Sequence, residues 1–493
     1  MNDLSTRLRD RRLTASTAAK VRLVFALTWP SVMAQMSTIV MEYIDAAMVG
    51  SLGAAPAASI GLVATTTWLF WGLGVAAVSG YSVQLAHRVG AGDNDGARHV
   101  LRRSLPIILG LGILLAAIGC TLAPLLPGWL GGSAEVNEGA TAYFGIFAAT
   151  LPLVCLTYLS SSMIRSSGYM LVPGVVNVAM CLLDVIFNFM LIFETRQIDM
   201  LGVRLTVPGA GMGVAGAALG TSLAYASGGV YMFMYMLRRS PVLRGALSHL
   251  SLSEFLHPFG ATVRRAAVIS WPIALERIVM CSAQIFITAI VAPLGAAAIA
   301  ANAFAVTAES LCYTPGYGVG DAATTLVGQS LGAGRPRLAV SFGRISIVCG
   351  MAVMGILGTA MWLLAPEMMA LFTPDAIVRA LGTDALRTEA WAEPLFGASI
   401  VTYCVFIGAG YTKVPAAINF TSIWAVRITL SALLVGTYGL HGVWLAMCIE
   451  LCVRGTVFLW CFMRGRWLKP GASMALTDIE DNPPGPPEQT FEL

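Results

Sequence analysis

Long apolar runs, divided by short clusters of charge, glycine and proline, fill the chain up to about residue 463. Residues 46–85 contain no charged side chain, and only the turn at 50–56 splits that run in two. A helix rises about 1.5 Å per residue, so about 20 apolar residues cross a hydrocarbon layer roughly 30 Å thick. Runs of that length predict membrane helices near 24–49, 57–85, 104–127, 140–163, 170–193 and 211–237, then near 267–291, 298–322, 344–365, 390–409, 414–437 and 441–463. The predicted fold class is all-α integral membrane, with twelve transmembrane helices.

The pattern is also written twice. Trp29-Pro30 recurs as Trp271-Pro272, an offset of 242 residues (271 − 29), and Leu52-Gly53-Ala54-Ala55 recurs as Leu294-Gly295-Ala296-Ala297. At the same offset Gly90-Ala91-Gly92 becomes Gly332-Ala333-Gly334, Gly168-Tyr169 becomes Gly410-Tyr411, and Asn177 becomes Asn419. A gap-free match of this extent points to a duplicated unit. Six spans per half is an even number, so both halves start on the same side of the membrane. The repeats are therefore parallel, related by an axis along the membrane normal.

Composition agrees: 57% of the 493 residues are hydrophobic and 11% are charged, against about 25% charged in soluble domains. Lys and Arg fall mainly on the side of the N terminus, among them Arg7, Arg9, Arg11, Arg12, Arg88, Arg165, Arg239 and Arg337, while the opposite loops hold Arg196, Arg204, Arg379 and Arg387. That asymmetry predicts both termini in the cytoplasm and a multi-pass protein of the inner (plasma) membrane. The net charge of +4 is spread over these loops, so nucleic acid is not an expected partner. The predicted organisation is a cytoplasmic segment 1–22, an N-lobe 23–237, a cytoplasmic linker 238–266 with a short surface helix, a C-lobe 267–463, and a tail 464–493. The acidic, proline-rich stretch 477–493 is expected to be disordered.

The ten cysteines fall inside apolar spans with no C-x-x-C pair, and His87, His99, His249 and His257 are expected in inner loops. No zinc site, phosphate loop or nucleophile elbow is visible, so an enzyme is not expected and no cofactor is implied.

The acids inside the spans have no counterpart in the other copy: Asp45 maps onto Ile287, Asp184 onto Val426, Glu276 onto Ala34, Glu309 onto Thr67, Asp321 onto Ser79 and Glu393 onto Leu151. An ionisable group at a helix centre in a bilayer costs at least about 2.5–3.5 kcal/mol, so it faces a cavity or a partner. Asp45 lies roughly 7–8 Å from the outer end of the first span, and Asp184 is also in the outer half. Two carboxylates at similar depth can share a proton or coordinate Na⁺. Glu42, three residues before Asp45, is expected on the same face and in the same cation-coupling cluster. Asp45 can alternatively be a helix-end residue bonding nearby backbone. Glu276, Asn177, Asn188 and Glu393 are candidates for substrate binding or coupling, although an acid at a helix N-terminus, as at Glu393, is ordinarily favourable without function. Glu450 and Arg454, spaced i, i+4, are expected to pair structurally, with Arg427 nearby. Asp321 reads as a loop-proximal acid.

In Tyr43-Ile44-Asp45-Ala46-Ala47-Met48-Val49-Gly50, the two Gly-Ala-Gly turns, and Gly408-Ala409-Gly410 followed by Lys413-Val414-Pro415, the chain resembles the multidrug and toxic-compound extrusion (MATE) transporters. The resemblance implies a V-shaped, two-lobe bundle that exports amphipathic or cationic organic molecules in exchange for H⁺ or Na⁺. It implies small-molecule substrates and lipid as partners, and a monomer. Asp45 and Asp184 match acids of the family's first and fifth helices, and Glu276 resembles a seventh-helix acid of several bacterial members. The chain departs from the pattern at Met180, where many members have asparagine, at Ile407-Gly408 and at Tyr411. A lipid-linked oligosaccharide flippase of the same superfamily is the alternative, with Arg277, Arg427 and Arg454 as its candidate cations.

Overall fold

The computed structural model describes residues 16–200, 203–247 and 260–468. Arg7, Arg9, Arg11, Arg12, His249, His257, residues 248–259 of the expected linker and the tail from 469 lie outside the described residues. The first half comprises α1 (Thr17–Gly50), α2 (Ala54–Ala91), α3 (Asn94–Leu122), α4 (Ala134–Ser166), α5 (Leu171–Ile192), strands β1 (Glu194–Met200) and β2 (Val203–Ala210), and α6 (Gly213–Arg238). The second comprises α7 (Ala261–Val291), α8 (Ala296–Gly332), α9 (Pro336–Phe372), α10 (Ala376–Glu389), α11 (Glu393–Gly408), α12 (Lys413–Thr421), a π-helical turn (Ser422–Ile428) and α13 (Thr429–Met463).

Helices predominate because lipid offers backbone groups no hydrogen-bond partner, so each segment satisfies its own. Their ends are set by polar side chains and glycine. The Asp93 carboxylate accepts from Gly96 N at 2.7 Å to cap α3, and that of Asp375 accepts from Ile377 N and Val378 N to cap α10. Among the described residues nine helices are long and apolar enough to cross a membrane, or ten if α10 and α11, bent by 62° at their junction, form one span. Inside α13, Gly439 leaves helical geometry at φ 58° and ψ −136°, so the apolar stretch from Lys413 to Met463 turns there.

The duplication is visible in the turns. Gly53 and Gly295, Gly92 and Gly334, and Gly168 and Gly410 each adopt positive φ, at 125° and 95°, 76° and 69°, and 92° and 75°. The halves meet where α1 packs on α8 and α7 on α2, contacts that exchange under the repeat, and where α2 crosses α8. At that crossing a Cβ on Gly90 would lie 2.1 Å from the Gln329 carbonyl oxygen, and one on Gly332 would lie 2.0 Å from that of His87. His87 Nε2 meets Gly408 O at 2.9 Å, and Gln329 Nε2 donates to Ser166 O at 2.7 Å. His87 maps onto Gln329 and Ser166 onto Gly408, so these contacts interchange as a two-fold axis requires. His87, expected in a loop, is instead buried in α2 at this axis.

Three features differ from the sequence-based expectation. The segment expected to be an outer loop at 194–210 is an antiparallel hairpin, with Ile198 opposite Leu205 and Asp199 opposite Arg204. It lengthens the first half, so that α6 starts at 213 and the segment after Gly439 at 440, an offset of 227 (440 − 213), and the constant register ends before this point. Residues 376–389, expected in a loop, form α10, where Val378, Gly382, Ala385, Leu386 and Glu389 are buried, while Arg379, Asp384 and Arg387 keep the helix too polar to read as a span. Val242, Leu243 and Ala246 of the expected linker are buried in the core of the first half with Leu101 and Met236.

Candidate functional site

Three helices of the first half bring a polar group into an apolar bundle near the end opposite the α2–α3 turn. Asp45 comes from the last turns of α1, Asp184 and Asn188 from one face of α5 at i, i+4, and Thr221 from α6. Asn188 Nδ2 donates to Asp45 Oδ1 at 2.6 Å and to Asp184 Oδ2 at 3.1 Å. Thr221 Oγ1 donates to the other Asp45 oxygen, Oδ2, at 3.3 Å. Asp184 and Asn188 are fully buried. The fit is tight because α6 has no side chain at Gly220, where a Cβ would stand 2.0 Å from Asn188 Oδ1.

Two oxygens of this cluster, Asp184 Oδ1 and Asn188 Oδ1, are buried and accept no hydrogen bond from a fixed donor among the described residues. Asp45 and Asp184 are within hydrogen-bond reach of each other. Two ionised carboxylates so placed repel, and the amide and hydroxyl offset only part of that repulsion. A proton or a small cation between them relieves it.

Of the residues expected here, Asp45, Asp184 and Asn188 come together. Glu42 and Asn177 do not. Three residues advance a helix by about 300°, which turns Glu42 roughly 60° away from Asp45 around α1. Glu42 is exposed and lies within electrostatic reach of Tyr143, Tyr158 and Tyr225 from the first half and Tyr313 from the second. Asn177 is half-buried, two turns from Asp184, and none of the hydrogen bonds around the acids involves it. Thr221 was missed: an uncharged hydroxyl in an apolar helix gives no signal until the rotation of α6 is known.

A second polar centre lies in the other half. Asn419 Nδ2 donates to Glu276 Oε1 at 2.7 Å, and the Tyr403 hydroxyl donates to Oε2. Glu276 is buried. Asn419 is the repeat partner of Asn177, so the same asparagine holds an acid in one copy and none in the other. Arg277 turns away, its stem against Gly72 of α2. Glu393 is fully buried at the start of α11, and neither of its oxygens has a hydrogen-bond donor among the described residues. The hydrogen bonds of the two centres do not include it.

Asp321 is not a loop acid. Its Oδ2 accepts from Arg165 Nη1 at 2.6 Å and from Gln35 Nε2 at 3.2 Å, joining α8 of one half to α4 and α1 of the other. Glu450 and Arg454 form the expected pair at 3.1 Å, and Ser422 Oγ donates to Glu450 Oε1 at 2.6 Å. Arg427 stands outside it and donates to Met447 Sδ.

A duplicated, multi-pass helical bundle with buried acids unique to each half defines a membrane transporter. The MatE family model matches residues 30–190 and 272–433, and its second match opens at the repeat partner of Pro30. The chain belongs to this family. It is 23% identical over 431 residues to a probable multidrug resistance protein NorM of Thermotoga maritima, covering 86% of this chain and 88% of the relative. It is 25% identical over 470 residues to the multidrug resistance protein MdtK of Edwardsiella ictaluri, covering 91% and 96%. Among solved structures, the Vibrio cholerae MATE transporter VcmN in its bent form superposes with a TM-score of 0.78 at 19% identity, covering 94% and 99% of the two chains. An outward-facing multidrug resistance MATE transporter does so with a TM-score of 0.83 at 21% identity, covering 94% and 98%.

Proposed function

We propose that this chain is a secondary active efflux antiporter that exports amphipathic, cationic organic molecules in exchange for H⁺ or Na⁺ by alternating access. Asp45 and Asp184 are its coupling carboxylates. The observation that carries this reading is the fully buried Asn188 amide shared by Asp45 and Asp184. The multidrug resistance names of the relatives support the substrate class.

The coupling element in this reading is α1. Near one end it carries Asp45 against α5 and α6; along its length it packs on α8 of the other half, through Tyr43 OH donating to Thr307 O at 2.7 Å and Gln35 to Asp321. Ion binding changes how firmly α1 sits against α5 and α6, and α1 transmits that change to the second half. Glu276, with Tyr403 and Asn419, serves substrate or ion in the C-lobe. Glu42, among the tyrosines, is the carboxylate that meets a cationic substrate, since aromatic faces and an anion both attract organic cations.

The architecture that goes with this reading is twelve crossings in two lobes, 23–237 and 267–463, arranged as a V in one polypeptide acting as a monomer. α6, the bend between α10 and α11, and the turn at Gly439 supply the crossings beyond those found by length and hydropathy alone. The Lys and Arg distribution supports cytoplasmic termini in the inner membrane. A flippase cavity for pyrophosphate needs uncommitted cations, but Arg454 is matched by Glu450. The experiment is drug accumulation in cells carrying Asp45→Asn at wild-type expression: accumulation should rise to the level of cells without transporter, and unchanged efflux would overturn the assignment.

A further inference from the structure

A groove between α9 and α10 has no part in either polar centre. It measures about 510 Å³ and is lined by Pro366 of α9 and, on α10, by Arg379, Thr383, Asp384 and Arg387, with the small side chains of Ala376 and Ala380 leaving it open. Arg379, Thr383 and Arg387 are spaced i, i+4, i+8, so they form one stripe along α10. The Arg387 guanidinium carbon lies 5.2 Å from the centre of the Trp362 ring, and its Nε donates to Trp362 O at 3.3 Å. That bond uses one of the five N–H donors of the guanidinium. The Arg379 side chain has no hydrogen-bond or ion-pair partner among the described residues. The Asp384 carboxylate meets His441 Nδ1 of α13 at 2.7 Å.

The ends of two apolar runs set the level of the groove. The run 344–365 stops just before Pro366, and the run 390–409 starts one residue before Trp391, so Trp362, Pro366 and Trp391 stand at the outer boundary of the hydrocarbon layer. Trp362 and Trp391 are 39% and 75% exposed, as tryptophans at a membrane–water interface are. Beside them Leu363 and Leu364 of α9 are also exposed and continue an apolar surface from the groove into the layer. Most of this is absent from the other copy. Trp362, Arg379, Arg387 and Trp391 map onto Cys120, Asn137, Gly145 and Ala149, whereas Pro366 maps onto Pro124. Both halves keep the proline, but the second alone adds two guanidiniums and two indoles at one level. Basic residues are otherwise concentrated at the opposite, cytoplasmic end, so a pair of arginines at the outer boundary does not serve to set topology.

We propose that this groove binds the phosphodiester headgroup of one phospholipid of the outer leaflet, with Arg379 and Arg387 on the phosphate oxygens, Thr383 donating its hydroxyl between them, and the acyl chains lying along Leu363 and Leu364. Guanidinium forks match the geometry of a phosphate and are less strongly hydrated than an ammonium, which suits an anion held at the edge of an apolar layer. The exposed leucines and tryptophans beside the arginines favour a lipid over free phosphate. The choice of leaflet rests on the orientation proposed above; the site does not rest on the coupling role of Asp45 and Asp184.

Native mass spectrometry of the delipidated full-length protein tests this with three probes: phosphatidylglycerol, the diacylglycerol with the same chains, and inorganic phosphate. Wild type should bind phosphatidylglycerol at a site that the Arg379→Gln, Arg387→Gln double variant weakens by about tenfold, the order expected when hydrogen bonds to a charged group are lost. Arg379→Gln alone, which leaves the contact between Arg387 and Trp362 in place, should weaken it too. Diacylglycerol should not occupy the site, and inorganic phosphate should not displace the lipid. Wild type that binds diacylglycerol as tightly as phosphatidylglycerol overturns the site even if no variant folds. Unchanged phosphatidylglycerol affinity in both variants overturns it equally, and displacement by inorganic phosphate overturns the assignment to a lipid.

Discussion

At the residue scale, Asp45 and Glu42 have the same chemistry three positions apart and are proposed to do different work. Asp45→Asn should abolish ion-driven export, whereas Glu42→Gln should leave ion coupling intact and shift which cations are carried. Uptake assays over a panel of organic cations, with and without an ion gradient, separate the two. Equal loss of coupling in both variants would contradict the division. Gly220→Ala offers a finer test, since its methyl would displace the Asn188 carbonyl oxygen 2.0 Å away. It should weaken ion binding at the Asp45–Asp184 centre by about tenfold, the order expected when a hydrogen bond to a charged group, worth about 1.5–3 kcal/mol, is disturbed; isothermal titration of the coupling ion measures it, and wild-type affinity would mean that Asn188 does not hold the ion site together.

Asp45 and Asp184 were legible in the sequence because a charge inside an apolar span is too costly to be kept without a partner or a task. Of the side chains that bond them, Asn188 was already a candidate and Thr221 was not. Thr221 is uncharged, and its role depends on the rotation of α6, which hydropathy does not encode. Glu42 was misplaced for the same reason: i, i+3 spacing gives neighbouring turns, but a single amide as narrow as Asn188 selects one of them.

At the scale of elements, the duplication and most helix positions were readable from apolar length. The breaks were not, because a bend at residues 390–392 or a π-helical turn at 422–428 changes no hydropathy average. The hairpin was concealed in a segment too polar to span, although Gln197-Ile198-Asp199-Met200 and Val203-Arg204-Leu205-Thr206 do alternate as a strand should. The crossing of α2 and α8 yields a prediction at this scale. Gly90→Ala and Gly332→Ala each place a methyl about 2 Å from a carbonyl oxygen of the facing helix, so each should push the halves apart at that end. Gly436→Ala, with nothing within 4 Å of its new Cβ, should change nothing. Spin-label distances between the α2–α3 and α8–α9 turns should lengthen in the first two variants and match the wild type in the third; unchanged distances in all three would mean that close packing there does not hold the halves together.

For the whole molecule, the halves are tied at the end bearing these turns by the symmetric His87–Gly408 and Gln329–Ser166 contacts and by the unsymmetric Arg165–Asp321 pair. The pair is partly exposed, at 21% and 30% for its side chains, so its loss is expected to cost about 1 kcal/mol, a roughly fivefold shift in population. Asp321→Asn should therefore raise the fraction of molecules open at this end, seen as faster labelling of a cysteine placed on Thr324 of α8. Labelling at the wild-type rate would remove the pair from the gating scheme.

The central claim is that ion entry at the Asp45–Asp184 centre drives substrate exit. Transport in sealed vesicles with an imposed H⁺ or Na⁺ gradient measures this directly. Wild type should move an organic cation uphill when one of the two gradients is applied and stop when that gradient is collapsed, while Asp45→Asn, folded and inserted equally well, should not. Uphill movement by Asp45→Asn at the wild-type rate, or movement by the wild type indifferent to both gradients, would contradict the account.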